Sequence, residues 1–262
     1  MKKIEPNKLR NHILDMVYSK KSGHIGGSFS LCELISYLYS EFDIINKDKL
    51  ILSKGHAVPV LYAVLYEMGV INDLESFREV NSKLQGHPDK NRLKYMHATT
   101  GSLGQGLSIS IGHALSSKLK GDDKNIFCIV GDGELQEGQI WEGFMLAPKY
   151  KLDNLLCFVD RNNCQNDGFV NDILNLGDLV NKIASFYWNV IEIDGHDDEQ
   201  IKESIDYYHD NKGNGMPTCV ILNTIKGKGV SFMQNPEWHS KAPTEEEYVK
   251  AKKELDNYES NS

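Results

Sequence analysis

The sequence predicts an α/β protein in which helices flank a doubly wound parallel sheet. Two short apolar runs, residues 126–130 and 155–159, are bounded by turn residues, which is typical of buried strands in a parallel sheet. Two further strands are predicted at residues 190–193 and 218–222. Helical patterns alternate with these runs, and such alternation is typical of a parallel sheet covered by helices.

The first part of the chain is predicted to be helical. Residues 7–20 carry apolar side chains at the spacing of one helix face. Residues 22–28 are rich in glycine, and we expect a loop there. A second helix is predicted to begin at Ser30, because Glu33 follows three residues later and completes the pattern of a capping box.

Glycines separate the next elements. A helix is expected to run to Met68, where Gly69 ends it. Residues 86–89 form a predicted turn. The glycine-rich segment 99–106 is expected to be a loop, and it leads into a helix predicted to end at Leu119.

The predicted strands of the second half are followed by helices. We expect a helix from about Leu135, another near residues 176–187 and a third at residues 199–209. Residues 244–258 are predicted to form a charged surface helix. At 262 residues the chain is long enough for one large α/β domain or for two small ones.

Charge and cysteine usage narrow the class of protein. The chain carries 29 Lys and Arg against 37 Asp and Glu, a formal net charge of −8, which argues against nucleic acid or an anionic membrane surface as a partner. The five cysteines form no Cys-x-x-Cys pair, and three lie in or beside apolar runs, as expected for reduced thiols in a cytosolic protein. We expect no signal peptide and no membrane-spanning segment.

A motif split between two strand ends carries the strongest chemical signal. Asp132 lies between two glycines directly after the first apolar run, and Asn162 follows the second run. Ligands of open α/β sheets bind at the carboxyl ends of the strands, so we expect these two side chains to meet there. A carboxylate and an amide form an all-oxygen site for a hard cation such as Mg²⁺, and the glycines let a phosphate approach the backbone.

This motif resembles the signature of thiamine-diphosphate enzymes, and the rest of the chain resembles one family of them, the transketolases. Six segments look like transketolase loops and occur in the order of that family, across about residues 12–243. They are residues 22–28, 52–56, 85–88, 100–106, 131–138, and 225–230 together with Trp238 and His239. The resemblance is to the N-terminal, diphosphate-binding domain, so we assign residues 1–243 to that domain and residues 244–262 to a charged C-terminal helix and tail.

The resemblance implies thiamine diphosphate and Mg²⁺ as cofactors. It places the side chains of Asp132 and Asn162 on the metal, with the backbone carbonyl of Cys164 as a third ligand. Cys164 departs from the larger aliphatic residue that is usual there, and we do not expect a thiolate ligand because soft sulfur suits Mg²⁺ poorly. The chain has no Walker-type Gly-Lys-Ser/Thr motif, so a divalent metal is expected to neutralise the phosphates.

Four histidines lie in loops flanked by glycine or proline. Any one of them would more often be a loop histidine bonded to backbone, but together they are similar to the active-site set of the family. The resemblance implies that His56 and His239 reach the diphosphate. It implies that His24 and His87 bind substrate hydroxyls and shuttle protons, which suits a group that titrates near neutrality. We assign four others, His196 among them, to structural or surface roles.

Further residues are assigned by the same resemblance. Gly101, Ser102 and Leu103 are expected to lie against the cofactor, and Gly133 is expected to lie beside the phosphates. Glu137 follows the Gly-Asp-Gly motif, and a glutamate there is most often a surface residue at a helix N-terminus. In transketolases the matching glutamate is buried where subunits meet, and we favour that role for Glu137.

The resemblance also implies a missing half. Transketolases use a glutamate from a second, pyrimidine-binding domain to activate the cofactor, and only 19 residues follow Pro243, too few for another domain. The chain therefore resembles the N-terminal subunit of a split transketolase, completed by a separate C-terminal polypeptide, in a symmetric heterotetramer. The expected reaction moves a two-carbon ketol unit from a ketose or ketose phosphate to an aldose; the sequence leaves the sugars open.

Two other functions remain open at this point. One is a subunit of the 1-deoxyxylulose-phosphate synthase type, which shares the fold; residues 85–88 and 135–138 favour transketolase. The other is a non-catalytic binding or scaffolding subunit. The presence of Asp132, Asn162 and all four histidines argues against a degenerate site.

Overall fold

The computed structural model describes the backbone of residues 4–259 and the side chains of residues 4–257. The expectations about the N-terminus and about the segment 244–262 fall partly on residues 1–3 and 260–262, which lie outside the described part.

Of the seven strands found in residues 4–259, five form one parallel sheet. The strands are β1 (Lys49–Leu52), β2 (Ile126–Gly131), β3 (Leu155–Arg161), β4 (Cys164–Gln165), β5 (Gly168–Phe169), β6 (Asn189–Asp194) and β7 (Thr218–Asn223). The main sheet has the order β1-β2-β3-β7-β6 and all of its pairs are parallel. Strands β4 and β5 form a separate antiparallel hairpin. The four predicted strands are confirmed, whereas β1 was not predicted.

The helices are α1 (Pro6–Lys20), α2 (Gly26–Phe29), α3 (Cys32–Glu41), α4 (Pro59–Glu67), α5 (Gln105–Lys120), α6 (Gly138–Lys149), α7 (Val170–Leu174), α8 (Leu179–Ala184), α9 (Asp198–Asp210) and α10 (Glu245–Glu259). The predicted helices at α1, α4, α5, α9 and α10 agree with the structure within about two residues, the usual uncertainty of helix ends.

Two predictions about the N-terminal loops were wrong. Residues Gly26–Phe29 form the short helix α2, where the sequence predicts a loop. Ser30 does not cap α3, because its hydroxyl donates to Asp160 Oδ2 at 2.7 Å. Glu33 accepts hydrogen bonds from Arg10 instead of closing a capping box. Ser30 and Glu33, which the local pattern assigns to a helix end, therefore both bind residues from other parts of the fold.

Two helix boundaries also differ from the prediction. Leu135 lies in a short 3-10 turn, Gly133–Gln136, and α6 begins only after it. The Asp132 side chain accepts a hydrogen bond from the first N–H of this turn, so the chain tightens directly after β2. The helix expected near residues 176–187 is limited to the six residues of α8.

Helices cover both faces of the sheet, which confirms the doubly wound architecture. Side chains alternate across a strand, and on β2 Phe127 and Ile129 belong to one apolar core while Cys128 and Val130 belong to the other. Helices α1, α3, α4 and α9 contribute to the first core, and α5 and α6 contribute to the second. The strand tips between these cores are thereby held in place.

The last helix packs on the first. Tyr248 stacks on Tyr18 of α1 with ring centroids 4.0 Å apart, and Ala251 and Leu255 are fully buried in the first core. Glu245, Glu246, Lys250 and Lys253 of α10 are exposed, whereas Lys252 Nζ lies 2.7 Å from Asp15 Oδ1 of α1. The domain boundary after residue 243 stays a prediction. Within residues 4–259, the structure contains no helix with the length and apolar character required to cross a membrane.

The cysteines provide a test of the core. All five are free and buried, and Cys128, Cys157 and Cys219 lie in register on three adjacent strands. Burial raises the pKa of Cys32 to about 12 and that of Cys128 well above its usual value. Because the thiolate is the reactive form, we expect the native chain to react with a thiol reagent only slowly and the unfolded chain to titrate five thiols. Rapid labelling of Cys128 in the native chain would contradict the buried sheet.

Candidate functional site

Two adjacent strand tips bring the split motif together. Strands β2 and β3 pair in parallel, with Gly131 opposite Asp160, so the residues that follow each strand emerge at one edge. The Asp132 backbone N–H donates to the Asp160 carbonyl at 3.1 Å. Asn162 follows β3, and both Asp132 and Asn162 are more than nine-tenths buried. The Asn163 backbone N–H, one residue after Asn162, donates to Asp132 Oδ2 at 2.6 Å, so the two halves of the motif lie next to each other at the carboxyl edge of the sheet.

Asp132 is a buried carboxylate beside another acid. Its oxygens accept backbone hydrogen bonds from Gly133 at 2.8 Å and Asn163 at 2.6 Å. Burial, followed by the charge of Asp160, raises the pKa of Asp132 to about 7 in spite of these bonds and of Lys54. A carboxylate in this position is stabilised by a cation. The donor set therefore fits a hard divalent metal such as Mg²⁺.

The turn after β3 shapes the remaining part of this edge. Asn163 adopts a left-handed conformation with φ of 59°, and the Cys164 N–H returns to Asn162 Oδ1 at 3.1 Å. Burial raises the pKa of the Cys164 thiol, so the sulfur stays protonated at neutral pH. Cys164 thus lies next to Asn162 as expected, and its backbone carbonyl is the group suited to a hard cation.

A buried acid that was not predicted from the sequence lies under this edge. Asp160 is fully buried and forms an ion pair with Lys54, while Ser30 and Thr224 donate hydrogen bonds to it. The Asn162 side-chain amide also donates to Asp160 Oδ2, at 3.1 Å. Asp160 therefore fixes the orientation of the Asn162 amide. Its position at a predicted strand end was the available signal.

The four predicted histidines converge above the strand tips. The ring of His24 has its centroid 5.2 Å from that of His56, 5.4 Å from that of His239 and 6.4 Å from that of His87. The His56 and His239 rings are 4.8 Å apart. Buried His24 Nδ1 has no hydrogen-bond partner among the described residues, so it is a free polar atom inside the cluster.

These histidines are neutral. Burial, assisted by Arg78, lowers the pKa of His24 to about 4, and burial with the nearby Lys226 charge lowers that of His239 to about 3. Desolvation also lowers the pKa of His56 and His87. The pKa of His24 therefore lies well below neutrality, and the pKa of His87 is shifted in the same direction. Neutral imidazoles can still donate one hydrogen bond and accept another.

A buried lysine joins the histidine cluster. Lys226 is 3% exposed, and its Nζ lies 3.1 Å from His239 Nδ1. Burial, with the Lys54 charge, lowers the pKa of Lys226 to about 8, so it is still largely protonated at neutral pH. From the sequence, the metal alone was expected to neutralise the phosphates, and Lys226 was not singled out. Its position between a predicted strand and Gly227 could have indicated it.

Glycine loops bring the elements of the site close together. A Cβ added to Gly101, whose φ is 149°, would lie 3.2 Å from the His87 ring, so glycine permits this contact. Ser102 and Leu103 follow, the first exposed and the second half-buried. A Cβ on Gly133 would lie 2.9 Å from the Gln165 side chain of β4.

A second missed acid ties these loops to the sheet. Glu134 is 2% exposed, and its carboxylate accepts hydrogen bonds from Ser53 Oγ at 2.5 Å, Gly104 N at 2.8 Å and Gly131 N at 3.0 Å. It links the segments before α4 and α5 to the tip of β2. Glu137, three residues on, is exposed at the start of α6, and a Cβ on Gly104 would lie 3.1 Å from Glu137 Cβ.

An arginine not singled out from the sequence holds two of the histidine loops. Arg78 Nη1 donates to Ser22 Oγ at 3.0 Å, and the guanidinium packs so closely on Gly86 that a Cβ there would lie 2.8 Å from Cζ. These contacts join the segment that carries His24 to the one that carries His87. The site thus combines one acid and one amide for a metal with neutral imidazoles and buried cations, an arrangement suited to a metal-bound polyanion.

Comparison with known proteins identifies a family. Residues 2–261 match the family model described as "Transketolase, thiamine diphosphate binding domain". The chain is 38% identical over 263 residues to the 6-deoxy-6-sulfo-D-fructose transketolase subunit SqwG of Clostridium sp. (strain MSTE9), covering 96% of this chain and 95% of the relative. It is 39% identical over 248 residues to an apulose-4-phosphate transketolase subunit of Actinobacillus succinogenes, covering 90% of this chain and 89% of the relative.

Comparison with solved structures indicates the same family. This chain superposes on transketolase from Campylobacter jejuni with a TM-score of 0.88 at 32% identity, over 96% of this chain and 42% of that one. The chain spans about two-fifths of the length of this and other solved transketolases, 40% in the case of the Leishmania mexicana enzyme. The chain therefore belongs to the transketolase family and corresponds to its N-terminal, thiamine-diphosphate-binding domain.

Proposed function

We propose that this chain is the diphosphate-binding subunit of a two-chain transketolase. With a separate pyrimidine-binding subunit, it transfers a two-carbon ketol unit from a ketose or ketose phosphate to an aldose. The observation that carries this proposal is coverage: the chain covers 95% of a relative named as a transketolase subunit but about two-fifths of solved transketolases. A second polypeptide then supplies the remaining part of each active site, and a symmetric heterotetramer is the assembly we expect.

The strand-tip edge is the proposed metal site. Asp132 and Asn162 would bind Mg²⁺ with their side-chain oxygens and Cys164 with its carbonyl. The raised pKa of Asp132 supports this role, because a buried acid that disfavours its own charge is stabilised by a bound cation. Gly133 would let a phosphate approach the backbone beside it.

The histidine cluster is the proposed diphosphate and substrate site. His56, His239 and Lys226 would contact the diphosphate, with Lys226 providing the positive charge. His24 and His87 would hydrogen-bond substrate hydroxyls as neutral imidazoles and move protons between them. Thiamine diphosphate would supply the carbon nucleophile that accepts the two-carbon unit.

The remaining assigned residues would complete the contacts around the cofactor. Gly101, Ser102 and Leu103 would lie against its rings, since Gly101 already contacts His87. Glu137 would meet the partner subunit, because it is exposed next to the loop that contains Gly104. Five free cysteines support a reducing, cytosolic location.

An assay of the reconstituted complex tests the function. The chain would be purified with the product of an adjacent reading frame as the candidate C-terminal subunit, and the complex would be supplied with thiamine diphosphate, Mg²⁺ and a panel of donors. The panel contains simple ketose phosphates, 6-deoxy-6-sulfofructose and apulose 4-phosphate, because relatives are named for the last two. We expect ketol transfer from at least one donor. Synthesis of a deoxyketose from pyruvate, or no turnover with any donor, would contradict the proposal.

The lowered pKa of Lys226 predicts that a rise in pH weakens diphosphate binding but stabilises the free chain. Its pKa of about 8 lies below the ordinary 10.5, so the unfolded chain binds one more proton between these values and the free chain becomes more stable as pH rises. The diphosphate prefers the charged lysine, so affinity for magnesium pyrophosphate should fall as pH rises through 8. Calorimetry across this pH range checks the binding and thermal unfolding checks the stability.

Matched variants separate Lys226 from general charge effects. Lys226→Arg should retain pyrophosphate affinity at pH 9, because guanidinium stays charged. Lys226→Met should bind weakly at every pH, whereas Lys253→Met, on the exposed face of α10, should behave as wild type. Equal pH profiles for wild type and Lys226→Arg would show that another group controls binding.

A further inference from the structure

A buried ionic triad lies behind the histidine cluster. Arg10 and Glu33 are 1% and 6% exposed, and Arg10 Nη2 lies 2.6 and 2.8 Å from the two carboxylate oxygens. His196 Nδ1 lies 3.0 Å from Glu33 Oε2, and its side chain is 6% exposed. Although burial alone would raise it, Arg10 and His196 lower the pKa of Glu33 to about 2. Glu33 is therefore a permanent anion that orients the imidazole.

The second nitrogen of His196 supports a loop of the site. The Ile225 backbone N–H donates to His196 Nε2 at 2.8 Å. A backbone N–H can only donate, so Nε2 carries no proton and Nδ1 donates its proton to Glu33. The carboxylate thus fixes both the tautomer and the direction of the ring, as the partners of metal-bound or catalytic histidines do.

Ile225 precedes the buried lysine of the diphosphate site. Thr224 donates to Asp160, and the Gly227 N–H donates to the Gly26 carbonyl at 3.0 Å. A Cβ on Gly195 would lie 2.6 Å from Thr224 Cγ2, so glycine lets the turn before His196 pack against this segment. The Thr224 side chain, the Ile225 N–H and the Gly227 N–H therefore connect this segment to Asp160, His196 and Gly26, respectively.

We propose that His196 is a positioning residue for the diphosphate site. Through the Arg10–Glu33–His196 triad it fixes the backbone at Ile225, and thereby the side chain of Lys226 against His239. This inference rests on the proposed function, because Lys226 is taken to contact the diphosphate. A purely structural histidine would stabilise the fold through Glu33 without any specific effect on the cofactor.

Two amide variants separate these roles. Asn places its amide near Nδ1 and can still donate to Glu33, but it does not reach Ile225. Gln extends its carbonyl towards the position of Nε2 and can accept from Ile225, but it loses the bond to Glu33. We expect His196→Asn to raise the KM for thiamine diphosphate in the complete complex roughly five- to tenfold without changing kcat. Loss of one hydrogen bond produces a change of about this size. His196→Gln should remain close to wild type.

Hydrogen exchange provides a readout that does not depend on activity. In the full-length chain, the Ile225 amide should exchange faster in His196→Asn than in wild type or His196→Gln, while α5 and the central strands stay protected. Equal KM in the two variants, or unchanged exchange at Ile225 in His196→Asn, would overturn the proposal. If the wild-type complex does not respond to thiamine diphosphate, the proposed function fails, and exchange at Ile225 still decides whether His196 holds the loop.

Discussion

The isolated chain is expected to show no ketol transfer, and addition of the C-terminal subunit is expected to restore it. The described residues provide the proposed metal site, a histidine cluster and buried cations, whereas we propose that the activating glutamate and the sugar-phosphate contacts come from the partner. Removing one positioned acid or base typically costs about 10²–10⁴ in rate, so the isolated chain should fall below the detection limit of a coupled assay. The measurement is turnover of the best donor against added partner concentration.

The dependence of activity on partner concentration serves as the control for this prediction. Activity should rise with partner and level off at one partner per chain, since each subunit contributes to each site. Glu137→Gln should require more partner to reach the same activity, because Glu137 is exposed where we place the subunit contact. Full turnover by the purified single chain, after mass spectrometry excludes a co-purified partner, would contradict the two-chain account.

Replacement of Asp132 should abolish magnesium-dependent cofactor binding. Asp132 is the charged ligand in the proposed set, and loss of groups that merely support a metal ligand costs about 10–100-fold in affinity. We expect Asp132→Asn to weaken binding of magnesium thiamine diphosphate to the complex by at least about a hundredfold. Calorimetric titration at pH 8, where the wild-type carboxyl is mostly ionised, measures this effect.

The fold should survive that substitution. The Asp132 carboxyl has a pKa of about 7 in the folded chain, so burial of its charge already costs stability at neutral pH. A neutral amide of the same shape removes this cost, but its NH2 group loses one of the two backbone hydrogen bonds that the carboxylate accepts. Because the two effects oppose each other, the free chain should still fold and should melt close to wild type. Asp210→Ala, an exposed acid at the far end of α9, is the matched control and should bind the cofactor normally. Unchanged affinity in Asp132→Asn would show that the metal ligand is elsewhere.

The strands that could be predicted most clearly are those in which every residue is buried. Residues 126–130 and 155–159 are apolar throughout because helices cover both sheet faces, and this pattern predicts their type and length. Strand β1 escaped because it has only four residues and starts with Lys49, directly before a glycine-rich motif. The capping box failed because Ser30 bonds Asp160, a partner 130 positions away that no local pattern contains.

The residues of the candidate site also differ in how far they could be predicted from the sequence. Asp132 and Asn162 could be proposed because their motif matches a metal-binding chemistry, and the four histidines could be proposed because their loops resemble those of the family. Lys54 and Asp160 were missed, because their roles depend on an ion pair between residues 106 positions apart and the strand end at Asp160 was only a weak signal. The neutral state of His24 also required the structure, since burial and the approach of Arg78 set its pKa.

A crystal structure of the two-chain complex with thiamine diphosphate and Mn²⁺ in place of Mg²⁺ tests the central claim most directly. The account predicts an anomalous peak coordinated by the Asp132 carboxylate and the Asn162 side-chain oxygen, with the diphosphate facing Lys226 and His239. An anomalous peak away from both residues, with thiamine diphosphate bound, would contradict it.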